Sequence, residues 1–150
     1  ELYDLTKSFW PAEANLYDDT YRMFVLGLVQ ERLKFLKELP ELTLFFFKDL
    51  PVDPELISTH KQLKKFDRSE LRELLQKAKQ ALEKSNFSVN DLIERLNKLL
   101  EETNQKPAVL FSLVRIATTQ APASPGLAET LAVLGKDRSL KRIDTTIGSL

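Results

Sequence analysis

The sequence has no cysteine, one histidine, one methionine and four glycines among 150 residues. Without cysteine there are no disulfides, no thiolate zinc sites and no cysteine nucleophile. A single histidine leaves no imidazole cluster for a metal and no serine–histidine pair with a second histidine to spare. Four glycines and seven prolines supply too little turn chemistry for an all-β sandwich and too few permissive positions for a phosphate-cradling loop. No apolar run approaches the ~18 residues of a membrane-spanning helix, and the opening ELYDLTK has neither the basic nor the hydrophobic region of a signal peptide. The expectation is a cytoplasmic protein with no membrane partner. The chain opens on Glu1 rather than methionine, which suits a piece of a larger protein.

What is present is 43% apolar and 29% charged, a composition that can bury a core and points to an all-α fold. At about 100 to 200 residues per domain, this length suits one domain or two small helical lobes. The net charge is zero but unevenly spread. Residues 1–60 carry 6 Lys and Arg against 11 Asp and Glu, and residues 61–150 carry 16 against 11. The asymmetry suggests a two-lobed bundle divided near residues 50 to 66, with one lobe over 1–55 and a second over 56–150; ordinary surface variation is the alternative.

Apolar residues recur at helical spacing over residues 20–39 (Val25, Leu28, Val29, Leu33, Phe35, Leu36 and Leu39), with Gly27 loosening the helix and Pro40 interrupting it. A short helical segment over 41–47 ends in three phenylalanines, and KDLPVDP at 48–54 reads as a connector. Asp67 with Glu70 and Ser88 with Asp91 are capping-box-like starts, each followed by an apolar face: Leu71, Leu74, Leu75, Ala78 and Leu82, then Leu92, Ile93, Leu96, Leu99 and Leu100. Pro107 suits the first turn of a helix reaching Thr119, and Pro125-Gly126 precedes another ending near Gly135. Leu140, Ile143, Ile147 and Leu150 mark a terminal helix.

Two arginines stand out. Arg32 falls in the middle of the apolar arc of its helix, where an unpaired guanidinium would cost several kcal/mol. It requires a carboxylate partner, a path out to solvent, or a ligand. Arg115 is the only charged residue between Lys106 and Glu129, and its helical neighbours Ala108, Ser112 and Thr119 form a strip of small and hydroxyl side chains. The strip leads into TTQAPASPG, whose hydroxyls, amide and helix-opening N–H groups suit phosphate oxygens or base edges. A loosely packed helix–loop–helix with one solvated arginine is the alternative.

The remaining candidates are weaker. His60, with no second histidine or cysteine, reads as a surface residue, and Trp10 as readily as a packing anchor. Phe45, Phe46 and Phe47 cannot all face one way on a helix, so two are expected in the core and one half-exposed, where it could stack on a base. Asp18 and Asp19, like Glu101 and Glu102, diverge by about 100° and read as surface charges. No G-x-x-x-x-G-K, G-x-S-x-G or H-E-x-x-H is present, so no catalytic residue and no metal ligand is assigned.

RLKFLKELPELTLFFFKD at 32–49 and VLFSLVRIATTQAPASPGLAETLAVLGKDRSLKRI at 109–143 resemble the C-terminal region of bacterial-type glutamyl-tRNA synthetases. The resemblance runs from about residue 21 to 147 and rests on the arginine before Leu-x-x-Leu-Lys-Glu, then Leu-x-Arg, Pro-Gly-Leu and Leu-Gly-Lys-Asp in order. It implies the all-helical anticodon-binding part of a class I aminoacyl-tRNA synthetase, with tRNA(Glu) as partner, no DNA, and a monomeric parent enzyme. The first lobe would link to an upstream catalytic part holding ATP and magnesium, while this fragment holds no cofactor. The His-x-Gly-His and Lys-Met-Ser-Lys-Ser signatures of that part are absent here.

By the same resemblance Arg32 reads the third anticodon base, where a guanidinium fork suits cytosine O2 and N3 and not the N–H donors of guanine. Arginine rather than glutamine there implies the discriminating type of enzyme. Arg115 matches the arginine near the first two anticodon bases, and Ser124, Pro125 and Leu127 match the base-contacting loop. Lys136, Arg138, Lys141 and Arg142 would contact the RNA backbone. The family's Leu-Thr-Gly after the second arginine is replaced by Thr118-Thr119-Gln120, and residues 60–105 match only in helical character. A helical protein-interaction domain with no RNA binding is the rival reading.

Overall fold

The computed structural model describes residues 2–30, 39–121 and 124–150. The described elements are all helical, and the chain divides into two compact units, Glu1–Leu50 and Pro51–Leu150. The first holds helix α1 (Leu2–Thr6), a 3₁₀ turn (Ala12–Leu16), α2 (Asp19–Val29) and α3 (Leu39–Phe47). The second holds α4 (Pro54–Ser58), α5 (Arg68–Glu83), α6 (Val89–Thr103), α7 (Pro107–Thr119), α8 (Leu127–Leu134) and α9 (Lys136–Ser149). No described helix is long and apolar enough to cross a membrane.

In the first unit α2 starts where Asp18 accepts the Tyr21 N–H at 2.8 Å, so this acidic residue is a helix cap and not merely a surface charge. Asp19 accepts from the Tyr3 hydroxyl at 2.5 Å and from Arg22 at 2.6 Å. These bonds, the tyrosine's first, hold its carboxyl below the usual carboxylate range. Val25 and Val29 are buried as the spacing requires. Residues 31–38, including Arg32, Leu33, Phe35 and Leu36, lie outside the described residues.

One expectation for this unit changes, while that for Pro40 is not tested: Pro40 lies within α3 as described, and the residues 31–38 that precede this helix lie outside the described residues. The three phenylalanines are all buried, at 3%, 0% and 4% exposure, so none is left for a base. The reason is that α3 is covered on more than one side. Phe47 meets Trp10, Tyr17 and Tyr21 edge-on at 5.7, 5.3 and 5.7 Å, while Phe45 and Phe46 lie 4.4 Å apart. Trp10 is thus a packing anchor, its indole N–H donating to the Thr6 hydroxyl at 3.2 Å.

The second unit is aliphatic. Leu71, Leu74, Leu75, Ala78 and Leu82 of α5 and Leu92, Leu96 and Leu99 of α6 enter one core with Leu110, Leu113 and Val114 of α7, Leu131 of α8 and Ile143 of α9. Helix α5 packs on α6 and α9, and α8 on α6 and α9. Ile93, expected on the buried face of α6, is 43% exposed.

Both caps form as the spacing required. Asp67 and Glu70 make a reciprocal capping box, and Ser88 accepts the Asp91 N–H. Between α5 and α6 the chain turns through Phe87 at φ 61°, an uncommon conformation for a bulky residue. Buried Ser85 holds it: its hydroxyl accepts the Phe87 N–H at 2.9 Å and donates to Asp91 at 2.6 Å. That donation and the Arg95 guanidinium at 2.7 Å keep the Asp91 carboxyl below its ordinary range. Asp53 caps the short α4, with Pro54 at its first position, inside a stretch that reads as connector up to residue 54.

Candidate nucleic-acid interface

Arg115 sits one turn from the end of α7 and is half-buried. Its Nε donates to the Ser124 hydroxyl at 2.9 Å, and that hydroxyl donates in turn to the Pro125 carbonyl at 2.9 Å. The loop after α7 therefore fixes the plane of the guanidinium. Thr130 of α8 donates to the same Pro125 carbonyl, tying the loop to the next helix.

The hydroxyls expected to offer themselves to RNA bond within the protein instead. Thr118 donates to the Val114 carbonyl at 2.9 Å and Thr119 to the Arg115 carbonyl at 2.7 Å, each closing back one turn. Gln120 ends α7 in the left-handed conformation at φ 50°. Its side chain accepts the Asp53 N–H at 2.9 Å and donates to Thr146 at 3.4 Å. Ser124 and Leu127 are only 4% and 6% exposed, and Pro125 is buried. Within TTQAPASPG, residues 122 and 123 lie outside the described residues.

Beside Arg115 a hollow of about 190 Å³ opens between α6, α7 and α8, lined by Ile93, Asn97, Phe111, Leu127 and Glu129. Sequence reasoning missed Ile93, Asn97 and Glu129 as neighbours of Arg115, because α6 enters this corner from a region where only its apolar periodicity was informative. Glu129 is the third residue of α8. A Cβ added at Gly126 would lie 2.1 Å from one of its carboxylate oxygens, so the bare backbone of Gly126 is what lets the carboxylate fold over the start of α8. There the helix dipole favours its negative charge.

The basic residues of α9 divide into two kinds. Lys136 and Lys141 are exposed, whereas Arg138 and Arg142 are half-buried. Arg142 donates to the Thr118 carbonyl at 2.7 Å, meeting the negative end of α7. Lys136 and Arg138, by contrast, stand in the first turn of α9, where the dipole disfavours a cation. His60 is half-buried, and its Nδ1 accepts the Gln62 N–H at 3.1 Å.

The chain spans about a quarter of the length of the curated relatives it matches. Among these are the glutamate–tRNA ligases of Roseiflexus castenholzii, 39% identical over 132 residues (87% of this chain, 25% of that protein), and of Chloroflexus aurantiacus, 33% identical over 131 residues (87% and 26%). A glutamate tRNA ligase of Elizabethkingia meningosepticum, solved in complex with its amino acid, has the same fold over 99% of this chain and 30% of its own, with a TM-score of 0.77 at 19% identity. The profile of the anticodon binding domain matches residues 1–147, and the chain belongs to that family.

Proposed function

We propose that this chain is the part of a glutamate–tRNA ligase that grips the anticodon of tRNA(Glu), contributing recognition and no chemistry to glutamate attachment. The observation that carries the reading is Arg115, the lone charge of a long uncharged stretch, held by Ser124 at the edge of a hollow of ring size. A guanidinium steadied through Nε presents a planar donor fork, the geometry suited to base acceptors. Arg32 has the corresponding role at the third anticodon base. Pro125 and Leu127, being buried, act through the shape they give the loop, and Ser124 acts by orienting Arg115. Lys136 and Lys141, with Arg138 and Arg142, supply phosphate contacts. Lys136 supports this, since it is exposed in the first turn of α9, where the helix dipole gives a cation no stabilisation.

On this reading ATP and magnesium belong to the part of the longer protein outside this chain, and none of its residues is assigned to them. The two units are a linking lobe and an anticodon lobe, in a monomeric cytoplasmic enzyme that discriminates between tRNAs.

The test is a tRNA titration of the full-length protein at two salt concentrations. Binding should weaken as salt rises, through counterion release. Arg115→Ala should weaken it further without lowering the melting temperature. Arg32→Gln should relax selection at the third anticodon base by about 1 to 3 kcal/mol. Salt-independent or absent tRNA binding would favour a protein-interaction domain.

A further inference from the structure

We infer that the groove between α5 and α6 docks one amphipathic helical segment of a partner protein, its apolar stripe on Ala81 and Leu99 and its carboxylates against Lys84 and Lys98. The inference goes beyond the anticodon-binding reading and does not depend on it.

Geometry is the first argument. Helices α5 and α6 pack on one another, and a groove of about 310 Å³ runs between them. Each wall is one helical face. Lys77 and Ala81 of α5 are followed by its capping residue Lys84, a spacing of i, i+4 and i+7. Arg95, Leu99 and Glu102 of α6 repeat that spacing, with Lys98 beside Leu99. Ala81 and Leu99 form the floor, and the long side chains form the rims. A protein cavity of about 150 Å³ accommodates a single benzene ring, so this groove has room for roughly two apolar side chains. An amphipathic helix lying along it presents its anchors at the same intervals.

Charge is the second. The rims carry Lys77, Lys84, Arg95 and Lys98 against Glu102 alone. Glu73 already holds Lys77 at 3.2 Å, and Asp91 holds Arg95 at 2.7 Å. Lys84 and Lys98 are exposed and make no ion pair with any described residue. A segment bearing carboxylates beside its apolar stripe complements both the floor and these two ammonium groups.

The same features favour a protein helix over an RNA backbone. An apolar floor gives a phosphate no partner, and the Glu102 carboxylate on the rim repels one. Arg95, Lys98 and Glu102 also lie on the opposite side of α6 from Ile93, which borders the hollow beside Arg115. An RNA loop held at that hollow therefore leaves the groove open.

The experiment uses the full-length protein and a synthetic, dye-labelled helical peptide with leucines at i, i+3, i+4 and i+7 flanked by glutamates. Fluorescence anisotropy should show binding that weakens as salt rises. A peptide of the same composition with scrambled order should not bind, nor should one with lysines in place of the glutamates. Lys84→Glu combined with Lys98→Glu should reduce affinity by about tenfold or more with an unchanged melting temperature. Ala81→Gln, which fills the floor without altering charge, should weaken the peptide as well. Carbodiimide coupling of the bound peptide should map to Lys84 and Lys98 and spare Lys61, Lys64 and Lys65. Saturating tRNA should leave the peptide bound.

The inference is overturned if the acidic peptide fails to bind, if the scrambled peptide binds equally well, or if coupling falls on lysines outside the groove. Displacement of the peptide by tRNA would make the groove an RNA surface and overturn it too. Absence of salt-dependent tRNA binding, by contrast, removes the anticodon reading alone.

Discussion

In the first unit rings do the packing. Trp10, Tyr17 and Tyr21 each meet Phe47 edge to face from a distant segment, and the two tyrosines stack on one another. In the second, leucines at helical spacing fill a core shared by α5 to α9. The contrast shows how two helical units can encode stability differently. An aliphatic face repeats along the helix, so loss of one side chain is a local defect. A ring cluster is assembled from few large pieces, each contributing much area and fixing its neighbours' orientation.

The sharpest way to break this comparison is Phe47→Ala. Phe47 is buried among three rings, and its truncation should cost about 3 to 5 kcal/mol. Trp10, the only tryptophan, reports the first unit in a fluorescence melt. A cost no larger than that of an ordinary surface change would mean that the aromatic cluster is dispensable.

A smaller effect is expected at Ser85, where the second unit depends on a polar hub as well as on leucines. Ser85→Ala should cost about 1 to 3 kcal/mol by denaturant titration, because the Phe87 N–H and Asp91 lose their partner together. Asp91 also gives this hub an acid dependence. Its carboxyl is lowered by Ser85 and then by Arg95, so its contribution is complete above the unfolded carboxylate pKa and fades as pH falls through the folded value. Ser85→Ala should flatten that acid limb in a pH series of melts, and an unaltered limb would remove Ser85 as its cause.

The smallest effect belongs to Gly27. It lies inside α2, and a Cβ there meets nothing within 4 Å. Gly27→Ala should therefore raise the stability of the first unit by about 0.5 to 1 kcal/mol. A loss would place a steric demand on that helix face.

The same contrast governs what the sequence made legible. Helices α5 and α6 were readable because period and cap coincide: Asp67 with Glu70 and Ser88 with Asp91 precede unbroken apolar faces. Helix α1 and the 3₁₀ turn were not, since five residues are too few for a period to declare itself. Helix α4 was signalled by Asp53-Pro54, a cap followed by a first-turn proline, but its shortness hid it in a connector. The burial of all three phenylalanines could not be read from one helix, because the rings that cover Phe47 come from elsewhere in the chain.

The candidate site divides in the same way. Arg115 was visible as a solitary charge. Ser124 and Leu127 were visible by resemblance, but their burial depends on tertiary packing. Glu129, Asn97 and Ile93 join Arg115 only when three helices meet, a proximity that spacing along the chain does not reveal.

The amide of Gln120 has a practical consequence for dissecting the molecule. By accepting the Asp53 N–H and donating to Thr146, it fastens the residue that opens α4 to the helix that ends the chain. A recombinant version of the second unit trimmed to start at residue 56 would discard that clasp along with the cap and first turn of α4. The ragged edge would adjoin the loop leaving α7, the segment that such a fragment would be made to study. Starting at residue 51 retains both ends of the fastening.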